Sequence, residues 1–303
     1  MDVEAIVVGG GPAGLSAALQ LARWNRTVLV LDGEEGRSTH NQVNHNYLGF
    51  VDGVPARELR DLGRRQLARY PHTTVLRQQV TSVTPSDAGF TVDAAGEQHR
   101  GRVLLLATGV IDDYPDFEDS GAYIGRSVFW CITCDGYECR SKRVVVVGAD
   151  DHAAGEALQL VSLGAEITLL MDGPADGLGE DTRERLRAAG VRVLDDRFAG
   201  VTGTDGMIAE VRTGGSGTIV AEALFVVRPA VPRSDLARQL GVETDAAGYV
   251  IVDDEQRTSV AGVFAAGDLT SLHAHQVTAA VHQGAQAASA ANYLLYPDAL
   301  RVG

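Results

Sequence analysis

The chain has 303 residues, 45% of them hydrophobic, enough apolar material for about two packed domains. A formal net charge of −14 and a sequence pI of about 4.9 oppose binding to a nucleic-acid backbone or an anionic membrane surface, since like charges repel. No apolar run reaches transmembrane length, and no basic stretch with an apolar core precedes the first strand-like run, so a cytoplasmic protein is expected.

The chain opens on Val3 to Val8, a β-rich run too short for a helix, followed by GGGPAGLSAALQLARW with small and apolar residues at three-and-four spacing. A strand, a tight turn and a helix are expected. Gly9 permits the turn, Gly11 lets the backbone approach a pyrophosphate, and Gly14 lets the helix pack closely on its strand, with Pro12 and Ala13 between them. A second strand, Thr27 to Leu31, ends at Asp32, 18 residues beyond Gly14, where a carboxylate can accept ribose hydroxyls. Dinucleotide binding is the expected role of this segment. The basic stretch LRDLGRRQLARY, Leu59 to Tyr70, is expected to be a helix with a solvated face rather than a docking patch for an acidic electron carrier. Polar strand-and-turn stretches then lead into VLLLATG, ending at Ala107, Thr108 and Gly109, and the acidic Ile111 to Pro115 marks a domain crossing.

All three cysteines fall in FWCITCDGYEC. A secreted disulfide framework would scatter an even number along the chain, so cysteine here points to chemistry rather than stapling. Cys131 and Cys134 form a C-x-x-C pair, a spacing that permits an intramolecular disulfide across one turn. Structural zinc would need four ligands, and no second such pair or histidine cluster completes a set, so no metal is expected. Cys139 is expected to be an ordinary small buried residue.

The segment VVGADDHAAGEALQLVSL, Val146 to Leu163, repeats the first strand-turn-helix at a shift of 139 positions, setting Gly148 on Gly9 and Ala153 on Gly14. Asp150 stands where the second glycine would be. A strand from Ile167 to Leu170 follows and runs out near Asp172. Residues Val191 to Val227 alternate short β-rich runs with glycine-rich turns, a meander, and a second domain crossing is expected near Pro229 to Leu240. The chain closes with TSVAGVFAAGD and an Ala-rich helix, Val277 to Leu295. Parallel strands joined by helices imply an α/β fold with buried sheets.

GGGPAG, ATG, CITCDG and GVFAAGD, in this order, resemble the low-molecular-weight thioredoxin reductase family over essentially the whole chain. The resemblance implies two Rossmann-like domains of the three-layer FAD/NAD(P) type, the second inserted in the first: residues 1–112 and 240–303 for FAD, and 113–239 for an NADPH-binding-like domain carrying the redox pair. It implies FAD contacts at Gly267, Asp268, Asn46 and Gln276 besides the residues above, with His275 standing where the family commonly has arginine. By position, Cys134 is the flavin-proximal thiol, Cys131 the interchange thiol and Asp135 the acid. A homodimer and a thioredoxin-like protein or small dithiol/disulfide substrate are likewise implied. Residues Arg37 to Asn46, rich in amides and imidazoles, replace a glycine- and threonine-rich stretch of the family and either line the isoalloxazine face or form a self-satisfied polar loop.

One departure matters most. The family grips NADPH with a glycine turn and an HRR-type basic cluster, whereas this chain has Gly148-Ala149-Asp150-Asp151 and Leu170-Met171-Asp172-Gly173. A carboxylate about 5 Å from a phosphate costs roughly 3 kcal/mol at an effective dielectric near 20, about two decades of affinity. Asp150 or Asp151 is expected to cap its helix instead, and NADPH is not expected as a cofactor. An electron-carrier protein would then supply or take the electrons. Three alternatives stay open: a dithiol oxidase passing electrons to oxygen, an NAD(P)H-dependent reductase with Asp172 holding the ribose of NADH, and a flavin-bound redox sensor without turnover.

Overall fold

The computed structural model describes residues 1–34, 36–40, 42–173, 177–215, 217–270 and 275–301; Asn41 of the polar segment and Ser216 of the glycine-rich turn lie outside them. The chain divides into two compact units. Met1–His40, Val54–Ile111 and Ala230–Gly303 make the first, and Asn41–Gly53 with Asp112–Pro229 the second.

In the first unit β1 (Asp2–Val8) leads through Gly9–Gly11 into α1 (Pro12–Arg23) and returns as β2 (Val28–Leu31). After α2 (Ala56–Leu67) come β3 (Thr73–Leu76), β4 (Val80–Ser86), β5 (Gly89–Ala94) and β6 (Glu97–Leu106). The sheet order is β3-β2-β1-β6-β5-β4, with Val263–Ala265 paired to β6 at Leu104–Leu106. β1 lies parallel to both neighbours, Val8 opposite Leu31 on one side and Leu106 on the other. The ends of these three strands therefore sit level, with the glycine turn beside the Ala107–Gly109 segment.

Side-chain alternation explains the layers. Ala5 and Val7 of β1 pack with Ala17, Leu21 and the Ala-rich C-terminal helix, while Ile6 and Val8 point to the other face, among Leu29, Val83, Phe90 and Val92. A strand buried on both faces is apolar throughout rather than alternating, as β1 is from Ala5 to Val8.

The second unit repeats the plan. Strand β7 (Val128–Phe129) precedes α3 (Ile132–Asp135), β8 (Arg143–Gly148), α4 (Asp151–Ser162), β9 (Glu166–Met171) and β10 (Arg192–Leu194). An antiparallel meander, β11 (Phe198–Thr204), β12 (Met207–Thr213) and β13 (Gly217–Val220), leads back to β14 (Ala223–Val226). The parallel sheet runs β7-β14-β8-β9-β10. Four valines in a row are needed in β8: Val144 and Val146 meet Ala153, Ala157 and Leu160 of α4, while Val145 and Val147 meet Val201, Ile208, Val211 and Ile219 of the meander. Each such buried side chain contributes roughly 1.5–3 kcal/mol. The chain re-enters the first unit, forms β15 (Val263–Ala265) and ends in α5 (Val277–Leu295). Among the described residues no helix is long and apolar enough to cross a membrane.

Candidate active site

The glycine turn of the first unit is shaped by close approach. Gly9 has φ of +110°, and a Cβ there would strike the carbonyl of Ala107; a Cβ on Gly14 would strike the carbonyl of Gly9. No other residue fits either position without moving the strand ends. At Gly11 the space is open, the nearest atom to a would-be Cβ being Ser38 Oγ at 3.8 Å. α1 starts at Gly11 with no side-chain cap and no acid in its first turn, so its N-terminal N–H groups are left for an anion. Thr108 Oγ1 donates to the Arg233 carbonyl at 2.8 Å, and Gly109 turns at φ +68°, which carries the chain away from the turn. Gly267, at φ +79°, donates its N–H to Gln283 Oε1 at 2.9 Å and lies against Ala13; Asp268 follows it, and Gln276 begins α5. An open, uncapped helix start flanked by small residues fits a dinucleotide pyrophosphate.

Asp32 sits at the end of β2, buried at 5% exposure, with its backbone N–H on the Leu76 carbonyl. Its Oδ2 accepts from Arg60 Nη2 and from Arg64 Nη2, both at 2.7 Å, and its Oδ1 accepts from the Glu34 N–H at 3.0 Å. Burial pushes the carboxyl up, but the Glu34 N–H and the two guanidinium groups outweigh it and hold it below the usual range. The solvated face expected of α2 is present, with Arg57, Asp61 and Arg65 exposed, but Arg60 and Arg64 leave it to meet Asp32. Ala56, Arg60 and Leu67 are the buried residues of that helix, and Arg60 Nε also reaches the Gly10 carbonyl at 3.3 Å. Arg60→Ala is expected to lower unfolding free energy in urea by about 3 kcal/mol at neutral pH, the cost of leaving a buried carboxylate short of a partner. Because the pKa of Asp32 is depressed, that difference closes as pH falls and the carboxyl protonates.

In the second unit Cys131 and Cys134 are joined as a disulfide, with Cα atoms 5.2 Å apart. Cys131 precedes the single turn α3, and the Cys134 N–H donates to Cys131 Sγ at 3.1 Å. The Asn46 amide reaches the Thr133 carbonyl at 3.5 Å, so the Asn41–Gly53 segment lies beside this turn within the second unit. Asp135 is 8% exposed. Burial first, and then the nearby Glu138 charge, push its carboxyl up to about 7, so that near neutral pH it can both hold and release a proton. Cys139 is fully buried and free, and burial pushes its thiol up to about 11, which leaves it inert as a nucleophile.

At the corresponding turn of the second unit, Asp150 Oδ1 accepts the Ala153 N–H at 3.0 Å and caps α4, with Asp151 adding a second acid in the first turn. Asp172 is engaged as well. Its Oδ2 pairs with Arg228 Nη2 at 2.6 Å, and its Oδ1 accepts the Phe198 N–H at 3.0 Å. Arg228 also pairs with Asp113 at 3.3 Å, so the cation at this strand end is already neutralised twice. Arg60, Arg64 and Arg228 are the residues sequence reasoning missed. The first two could have been found from their i,i+4 spacing on the stripe of Ala56 and Leu67; Arg228 offers no comparable signal.

The sequence pattern of the pyridine nucleotide-disulphide oxidoreductase family matches residues 3–284. The chain belongs to that family. It is similar to the thioredoxin reductase of Treponema pallidum, 30% identical over 305 residues that cover 96% of either chain. Among solved structures it is similar to an oxidoreductase from Agrobacterium tumefaciens (32% identity, TM-score 0.85, 98% of this chain and 100% of that one). It is also similar to the thioredoxin reductase of Streptococcus pyogenes (25% identity, TM-score 0.88, 97% and 98%). This member of the family is a disulfide oxidoreductase of the low-molecular-weight thioredoxin reductase type, and the family implies FAD as its flavin.

Proposed function

We propose that the chain exchanges electrons between a flavin and a protein or small-molecule disulfide through Cys131 and Cys134, and that its electron donor is not a pyridine nucleotide. FAD would be held by Gly9, Gly11, Pro12, Ala13 and Gly14 at its pyrophosphate, by Asp32 at the adenosine ribose, and by Ala107, Thr108, Gly109, Gly267, Asp268 and Gln276 along the rest. Bound FAD supplies the two-electron exchange with the dithiol. The remaining steps belong to the protein. When the Cys131–Cys134 disulfide takes up two electrons it opens, and Asp135 gives a proton to the sulfur that would otherwise stay a thiolate. Cys131 then attacks one sulfur of the partner disulfide, whose other sulfur leaves as a thiolate. Cys134 resolves the mixed disulfide, restoring Cys131–Cys134 and releasing the partner as a dithiol. A thioredoxin-like protein disulfide suits this exchange, as does a small-molecule disulfide; a small dithiol would enter by the reverse steps.

The observation that carries the donor reading is the Asp150 cap. The α4 N-terminus, where a dinucleotide phosphate would bind, already holds the protein's own anion, while α1 has none. Arg228, paired with both Asp172 and Asp113, is no longer a cation for a 2′-phosphate at this strand end. Anaerobic addition of micromolar NADPH or NADH is therefore expected to leave the flavin absorbance unchanged, while dithiothreitol bleaches it. Bleaching by NADPH within the mixing time would overturn the reading of Asp150 and leave the cysteine assignment standing.

A further inference from the structure

The carboxylate at the end of β2 is nearly used up before any ligand arrives. An ionised carboxylate has about four acceptor positions. Asp32 Oδ2 accepts from Arg60 Nη2 and Arg64 Nη2, both at 2.7 Å, and Oδ1 accepts the Glu34 N–H at 3.0 Å. By that count about one position is left, on Oδ1. Oδ2 also faces Gly10, where a Cβ would strike the carboxylate. The orientation of Asp32 therefore decides which of its oxygens a ligand meets.

Of the two arginines that hold this orientation, one is dedicated to it. Arg64 is divided among three carboxylates, those of Asp32, of Glu34 at 2.9 Å and of Asp61 at 3.7 Å, and Glu34 is shared in turn with Arg77 at 3.3 Å. Arg60 pairs with Asp32 and with no other carboxylate among the described residues, and both side chains are 7% exposed. Its Nε also reaches the Gly10 carbonyl at 3.3 Å. One guanidinium thus ties the acid at the end of β2 to the glycine turn at the end of the adjacent β1, the two points at which a dinucleotide's ribose and pyrophosphate are held in this kind of fold. A planar fork fixes both contacts at once, whereas an ammonium is a single point charge.

We propose that Arg60 is a positioning residue of the cofactor site: it holds the Asp32 carboxylate against the glycine turn, keeps Oδ1 for the adenosine ribose, and so sets the affinity for the ADP half of FAD. This rests on FAD occupying the first unit.

The test is a titration of the full-length flavin-stripped protein with FAD and with ADP, which carries the adenosine end without the flavin, and circular dichroism melting follows the fold of each variant. Arg60→Met keeps a long side chain without its donors and should weaken FAD and ADP by the same factor, about 10-fold. Arg60→Lys keeps the charge and should lose no more than about 3-fold. Placed in an Asp32→Asn background, Arg60→Met should cost less than about 2-fold, because its effect runs through the carboxylate. Gly10→Ala presses on the same carboxylate from the other side with Arg60 intact; it should also weaken both ligands, and it stands in for Arg60→Met if that variant melts below the titration temperature. Unchanged affinity in whichever of these two variants is folded overturns the proposal, as does a loss for FAD that ADP does not share. An undiminished loss in the Asp32→Asn background also overturns it, since Arg60 would then act without Asp32. A wild-type protein that binds neither FAD nor ADP sinks the placement of FAD itself, an outcome seen before any variant is made.

Discussion

In the Cys134→Ser enzyme, a dithiol added without oxygen leaves the flavin oxidised, with reduction slowed by more than about 1,000-fold; in Cys131→Ser it leaves a thiolate at Cys134 and a long-wavelength charge-transfer band. The contrast is informative because the two substitutions are matched structurally. Each removes the same disulfide, which closes a loop with a sequence separation of 3, so each costs a similar and small amount of stability, about 2 kcal/mol from loop-closure entropy. Their side chains also differ little in surroundings, since Cys131 and Cys134 are both partly buried at either end of the one-turn α3. Matched melting temperatures with unmatched spectra therefore isolate the chemistry from the fold. If both variants show the band, or neither does, the division of labour between the sulfurs is wrong, although their role as the redox pair survives. Cys139→Ser provides the control. Its thiol is buried and held up to about 11, so thiol-dependent flavin reduction should proceed as in the wild type.

The fold is legible in the sequence because it is written twice. Four consecutive valines in β8 mean burial on two faces, and the glycine turn with its following small residues means a helix drawn close to a sheet; finding both patterns again 139 positions earlier leaves few architectures. The nature of the covering layers is less legible. Whether Val145 and Val147 face a helix or a meander depends on residues some 60 positions away, and the meander enters the sequence only as weak alternation. At the site, Asp150 can be read as a cap because capping is local, reaching only to Ala153. Asp172 cannot be read the same way. Its partner Arg228 lies at the far end of the unit's chain, and nothing in the spacing of either residue announces the pair. Arg60 is an intermediate case: its charge argues for solvent, its place on the Ala56–Leu67 stripe argues for burial, and the stripe wins because Asp32 supplies the counter-charge.

Asp135→Asn is expected to make the protein more stable and a worse catalyst at the same pH. The carboxyl has a folded-state value of about 7 against an ordinary one near 3.8, because burial and Glu138 both oppose its charge. Below about pH 4 it is protonated whether the chain is folded or not, and contributes nothing to the pH dependence. Between pH 4 and 7 the unfolded chain releases the proton while the folded one keeps it, so stability falls as pH rises; above 7 the whole cost of a buried charge is present. Asparagine has nearly the same shape and no proton to lose. Urea unfolding should find the variant and the wild type alike near pH 4 and the variant clearly more stable at pH 8. Disulfide exchange should meanwhile drop by about 100-fold, the usual contribution of a positioned acid, and lose the ionisation near 7 from its pH profile. Under the proposed function, that cost to the fold is offset by the proton Asp135 gives to the redox pair. If the variant instead proves less stable at pH 8, the carboxylate is being held by a partner, and Asp135 loses its claim to be the acid that moves the proton.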